Sequence, residues 1–252
     1  MKARTFLKRL AVVCGLIAMV GGAYSQGRSA GRSGPPRSPK DAALYDITGY
    51  WASVVTEDWR FRMVTPPKGD YTGISLNAEG RKVADSWDPA KDEASAEQCK
   101  SYGAPAIMRV PGHLHIAWQD DQTLKIESDA GEQTRLLHFD SAESGAGAWQ
   151  GYSKATWEMV PVGRGASPVG SLKVVTTRLR PGYLRKNGVP YSASTTLTEY
   201  FDRVNEPAGD SYLVITTTVE DPTYLAQPFL TSSHYKKQPD SSGWRPTPCS
   251  VR

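Results

Sequence analysis

The chain has 252 residues, 39% hydrophobic and 22% charged, with 23 Gly and 18 Pro, a composition of globular proteins rather than disordered or fibrous ones. Its net charge of +4 averages two unlike parts: residues 1–40 hold eight Lys or Arg and no acid, which leaves 22 basic against 26 acidic residues, or −4, from Asp41 onward. That body has no electrostatic basis for binding nucleic acid, and no apolar run reaches the roughly 18–20 residues of a membrane-spanning helix.

Residues 1–25 read as a secretory signal peptide. Met1–Arg9 is basic, Leu10 to Val20 is apolar, and small residues at Ala23 and Ser25 predict cleavage after Ser25. An apolar core of about eleven residues is too short to cross a bilayer of roughly 30 Å, so no membrane span is expected after cleavage. Residues 26–45, rich in Gly, Ser, Arg and Pro, read as a disordered linker that cannot bury enough surface to order itself. Cys14 leaves with the signal. The remaining pair, Cys99 and Cys249, is expected to form a disulfide in an oxidising, periplasmic or secreted, setting. Such a bridge closes a loop of about 150 residues and is worth about 2–4 kcal/mol.

From residue 46 to 252 the chain reads as one domain of short strands, because β-branched and aromatic residues cluster in runs punctuated by Gly, Pro, Asp and Asn. Strands are predicted over Gly49–Thr56 and Arg60–Thr65, followed by one short helix over Asn77–Trp87, with Asn77 as N-cap and Glu79 in its first turn. Ala94–Lys100 is expected to add another turn. Further strands follow at Met108–Val110, Leu114–Trp118, Thr123–Ser128, Thr134–Phe139, Tyr152–Met159 and Ser171–Leu179. Pro181–Gly188 reads as a basic, aromatic loop where a lid could sit, and Thr195–Arg203, Ser211–Val219 and Phe229–Lys236 complete the set. The pattern predicts an all-β fold, an antiparallel up-and-down barrel of about 8–10 strands with one short helix after the second strand. A barrel of that size can hold one small ligand.

Gly49-Tyr50-Trp51, opening the first long strand, resembles the G-x-W signature of lipocalins and related calycin barrels. The resemblance implies a Trp that closes one barrel end under a basic side chain from a late strand, here Lys236 or Lys237. The body also resembles a family of secreted bacterial proteins without an assigned activity. The matching segments include Tyr71–Asn77, Trp87–Ala90, Gln98–Lys100, Gly151–Ser153 with Trp157-Glu158, Thr198–Arg203 and Glu220–Pro222. That resemblance implies a shared fold and secretion, and no catalytic residue.

Candidate chemistry is sparse. His113 and His115 lie two apart on one strand and so share a face, and His138 or Glu199 is the candidate third ligand of a metal site. Leu114, Ile116 and Trp118 form the apolar face, which puts both His on the opposite side, and no metal or other cofactor is predicted. Glu199 alternates with Leu197 and Phe201, which places a carboxylate among apolar groups and calls for a partner, with Arg135, Arg178 or Arg203 as candidates. The leading expectation is a carrier of a small, largely apolar or amphipathic molecule, with Trp51, Arg135, Arg178, Glu199 and Phe201 lining its site. One alternative is a barrel enzyme of isomerase, lyase or hydrolase type using Glu199 with His115 or His138 as acid and base. The other is an envelope interaction protein whose barrel is filled.

Overall fold

The computed structural model describes residues 37–140, 147–161, 163 and 169–251. The expected signal peptide, the expected cleavage point and residues 26–36 of the expected linker lie outside these described residues. The last part of that linker is not free. Tyr45 donates its hydroxyl to the Phe201 carbonyl at 2.6 Å and meets the Trp157 ring edge-on at 5.0 Å, so the folded body begins before residue 46.

Nine strands close into a barrel. In chain order they are β1 (Gly49–Val54), β2 (His113–Trp118), β3 (Thr123–Ser128), β4 (Gln133–His138), β5 (Tyr152–Val160), β6 (Val169–Thr177), β9 (Thr196–Asn205), β10 (Ser211–Glu220) and β11 (Phe229–Lys237). A separate two-stranded ribbon joins β7 (Gly182–Arg185) to β8 (Val189–Tyr191). Closure occurs where β1 pairs with both β11 and β2.

The all-β barrel agrees with the sequence pattern, and the purely antiparallel expectation is corrected. β5 enters beside the last two residues of β4 and runs in the same direction, Leu137 opposite Ser153 and His138 opposite Lys154. Other local expectations also change. Arg60–Thr65 is not a strand: Trp59–Met63 is a short helix, α1, entered through Asp58 in the left-handed region at φ 49°. Its Arg-Phe-Arg-Met alternation imitates a strand, but Arg62 turns inward to donate to the Arg109 carbonyl at 2.9 Å. The expected helix over Asn77–Trp87 is α2 (Ala78–Asp85), capped by Asn77, whose side chain accepts from the Gly80 amide at 2.8 Å. It is followed by α3 (Pro89–Ala94), a 3-10 turn (Gln98–Tyr102) and α4 (Ala104–Ile107), where Pro105 sits in the first turn. Met108–Val110 is therefore the exit from a helix, not a strand. Pro181–Gly188 is no exposed loop, since it contains β7 and Leu184 and Arg185 are buried.

Side-chain alternation puts Leu114 and Ile116 inside the barrel and His113 and His115 outside. Leu114, Ile116, Leu137, Leu172, Phe201, Ile215 and Tyr235 are at most 1% exposed and fill the interior. Full burial of such a side chain contributes about 1.5–3 kcal/mol. The void lined by Ile107, Met108, Leu114, Ile126 and Arg135 has a volume of only about 10 Å³, room for about one water. A second apolar cluster, including Tyr71, Ile74, Ala104, Leu184, Tyr191, Leu197, Val219 and Phe229, joins the helices and the β7–β8 ribbon to the end of the barrel where β9 and β11 begin. We call this the capped end.

Candidate functional site

Within the barrel, the polar feature is an ion pair. Glu199 on β9 is fully buried and Arg135 on β4 is 3% exposed, and Arg135 Nη2 lies 2.5 Å from Glu199 Oε2. Arg135 also donates from Nε to Ser153 Oγ at 2.9 Å and from Nη2 to Thr176 Oγ1 at 2.7 Å. Of the three arginines considered as partners for Glu199, closure of the barrel selects Arg135. Arg178 is exposed at φ 54° on the outer side, and Arg203 donates to the Asp46 carbonyl at 2.6 Å. This four-residue cluster is a hydrogen-bonded lock, and the one-water void beside it holds no organic ligand.

The residues expected to line a luminal site are placed as follows. Trp51 and Phe201 are fully buried in the core, Arg135 and Glu199 neutralise each other through Nη2 and Oε2 while Arg135 Nη1 and Glu199 Oε1 stay without a hydrogen-bond partner, and Arg178 is exposed. The structure does not bring the candidate acid and bases together. Glu199 points inward, while His115 and His138 sit on outward positions of β2 and β4. His115 Nδ1 lies 2.8 Å from Glu127 Oε2 and its ring stacks on Tyr50 at 4.4 Å. His138 stacks on Tyr152 at 5.0 Å, so the barrel wall separates both from Glu199. His113 pairs with Asp129 at 2.9 Å, and among the described residues no three His, Cys, Asp or Glu side chains gather as metal ligands.

The opposite end is closed as the G-x-W pattern implies. Trp51 donates its indole N–H to the Ile47 carbonyl at 2.9 Å, and Lys237 lies over its ring with Nζ 4.7 Å from the centroid. Lys237 also donates to the Thr48 carbonyl, and burial holds its pKa below the usual value for lysine. Gly49 is required here: its φ is +98°, and a Cβ would stand 2.7 Å from Lys237 Nζ.

A hollow with converging charge lies instead at the capped end. It has a volume of about 210 Å³ and is bounded by α1, by the chain leaving α4 and by the end of β7. Phe61, Ala106, Val110 and Leu184 supply its apolar wall, and Arg62, Arg109 and Arg185 its polar wall. These arginines are 8%, 6% and 4% exposed. Arg62 pairs with Glu57, and Arg109 Nη1 lies 3.0 Å from Asp58 Oδ2. Asp58, at the N-cap position of α1, makes no capping bond with its side chain and faces Arg109 instead. Arg185 donates from Nη1 to the Thr72 carbonyl at 2.8 Å and stacks over Phe61 at 4.0 Å, with no carboxylate in ion-pair contact among the described residues. Burial, and secondarily the like charge of Arg109, push its pKa down to about 10, against the opposing pull of Asp58 and Asp70. A larger hollow of about 640 Å³, bounded by Pro66, Pro67, Trp87 and Pro89, has no buried polar side chain in its wall.

No family model matches this chain, and neither a curated protein nor a solved structure matches it. The site is thus argued from geometry. Arg62 and Arg109 were hidden in runs read as strands, and Arg185 in a stretch read as a loop. The only local signal was the basic and aromatic character of Tyr183–Lys186.

One feature fits an extracytoplasmic address. Cys99 and Cys249 form a disulfide with S–S 2.03 Å. The bridge ties the chain end to the 3-10 turn that carries Ser101, itself part of the pocket wall.

Proposed function

We propose that this protein is a secreted or periplasmic barrel that binds a small amphipathic molecule at its capped end. The observation that carries this reading is the contrast in free space: about 210 Å³ in a pocket with apolar and charged walls, against about 10 Å³ in the void beside the buried Arg135 of the barrel. Ligand pockets combine an apolar lining with a few convergent polar groups, and that combination exists here outside the barrel. The barrel and the disulfide serve as a rigid frame for the pocket walls. The sequence features of a signal peptide and the disulfide support the address.

Thermal unfolding in the presence of a panel of small apolar and amphipathic compounds tests the reading, with Val110→Trp as a variant that fills the pocket from its partly exposed rim. A ligand at about one hundred times its Kd stabilises by about 2.7 kcal/mol, a rise in Tm of about 5–10 °C for a domain of this size. The expected result is a rise for the parent protein that Val110→Trp abolishes. A flat response from every compound, or equal shifts in both proteins, would rule out this pocket as the binding site.

The filled interior also favours a second reading, an envelope protein that acts by contact with other macromolecules. Trp59, Met63 and Val64 on and after α1 are 64%, 59% and 64% exposed and would belong to such a surface. This reading predicts the flat response.

A further inference from the structure

We infer that the pocket at the capped end recognises an oxyanion, a carboxylate or phosphate head carried on a short apolar body. The inference rests on the binding reading above and specifies the chemistry of its ligand.

Three arginines from distant parts of the chain, on α1, after α4 and at the end of β7, meet at one small hollow. Each is more than nine-tenths buried. A buried guanidinium is normally matched by a carboxylate and by acceptors for its N–H groups, because an uncompensated buried charge costs several kcal/mol. Here the matching is incomplete in a consistent way. Glu57 and Asp58 serve Arg62 and Arg109, and the third guanidinium, Arg185, has a carbonyl and an aromatic ring but no acid. Arg62 Nη2, Arg109 Nη2 and Arg185 Nε all lack a hydrogen-bond partner. One negative charge and several acceptor lone pairs are what this wall lacks.

An oxyanion supplies both at once, since the planar fork of a guanidinium matches two oxygens of a carboxylate or phosphate. The low-polarity wall of Phe61, Val110 and Leu184 strengthens that attraction and accepts the rest of the ligand. A hollow of 210 Å³ takes a head group with a short chain. Arg60, which pairs with Asp70 at 2.9 Å and is exposed, and Lys186, which donates to the Tyr102 hydroxyl at 2.7 Å, add positive potential near the rim.

Hexanoate, hexyl phosphate and hexanol, matched in chain length, test the inference by calorimetric titration of the full-length secreted protein and of Arg185→Met. At least one of the two anions is expected to bind ten or more times tighter than hexanol, and the stronger anion identifies the head group. Arg185→Met is expected to lose that preference while its ligand-free Tm stays at or above that of the parent, because an unmatched buried charge has been removed. Equal binding of hexanol and both anions in the parent protein overturns oxyanion recognition and leaves the pocket a binding site. Failure of all three ligands to bind overturns both. The parent comparison needs no variant, so it decides even if Arg185→Met does not fold.

Discussion

Arg135 and Arg185 are equally hidden from water, and their surroundings differ in kind. Arg135 sits inside the barrel with Glu199, Ser153 and Thr176 in hydrogen-bond contact and almost no free space beside it. Arg185 sits at the capped end beside two other arginines, with no acid in contact and a 210 Å³ hollow at hand. A buried charge that has its counterion is part of the frame. One that lacks it, next to open space, is where a ligand's charge has the most to contribute.

The contrast is open to direct attack, beginning with the frame. Glu199→Leu leaves Arg135 buried without a counterion, and urea unfolding is expected to show a loss of about 3–5 kcal/mol. The double variant Arg135→Met with Glu199→Leu should regain most of it, since an apolar pair can replace a buried ion pair. A loss below about 1 kcal/mol for the single variant would mean that the interior pair is not what distinguishes the two arginines. Replacing both cysteines, Cys99→Ser with Cys249→Ser, is expected to cost about 2–4 kcal/mol in thermal unfolding. Its effect on ligand affinity measures how far the pocket wall depends on being tied to the chain end.

The smallest expected effect concerns the ion cluster on the 3-10 turn behind the pocket. Glu97 lies 2.5 Å from Lys100 and 2.5 Å from Arg180, and the hydrogen bond from Lys100 is the largest influence that holds its pKa below 4.5. A carboxyl with a lowered folded-state pKa adds stability that is complete above its unfolded value and is lost as pH falls through the folded one. Glu97→Gln should therefore cost less than about 1 kcal/mol near neutral pH, and the difference from the parent should close as pH drops below 4.5. A difference that persists unchanged in acid would assign the loss to packing rather than charge.

Legibility from the sequence followed the range of the interaction. Leu114 and Ile116 alternate with His113 and His115, and that period of two placed each on its proper face without reference to any other strand. Asn77 announced the start of α2 for the same reason, because a cap is a contact over three residues. Trp51 and its late basic partner were legible through the G-x-W pattern, although the pattern left Lys236 and Lys237 as alternatives. Register settles the choice: Trp51 is opposite Lys237 across β1 and β11, and it is Lys237 that lies over the ring. Arg60–Met63 misled, since alternation of long basic and apolar residues fits a strand as well as a short helix, and only the contact of Arg62 with Arg109 decides between them.

What the sequence determined alone was the class of fold, the pairing of Cys99 with Cys249 and the need of Glu199 for a cationic partner. Each follows from local periodicity, from counting, or from the cost of burying a charge. Tertiary structure decided that the partner is Arg135, that the void beside that pair has room for about one water, and that Arg62, Arg109 and Arg185 meet. Those outcomes depend on which strands close against which, a choice made by long-range packing that no short window of residues contains.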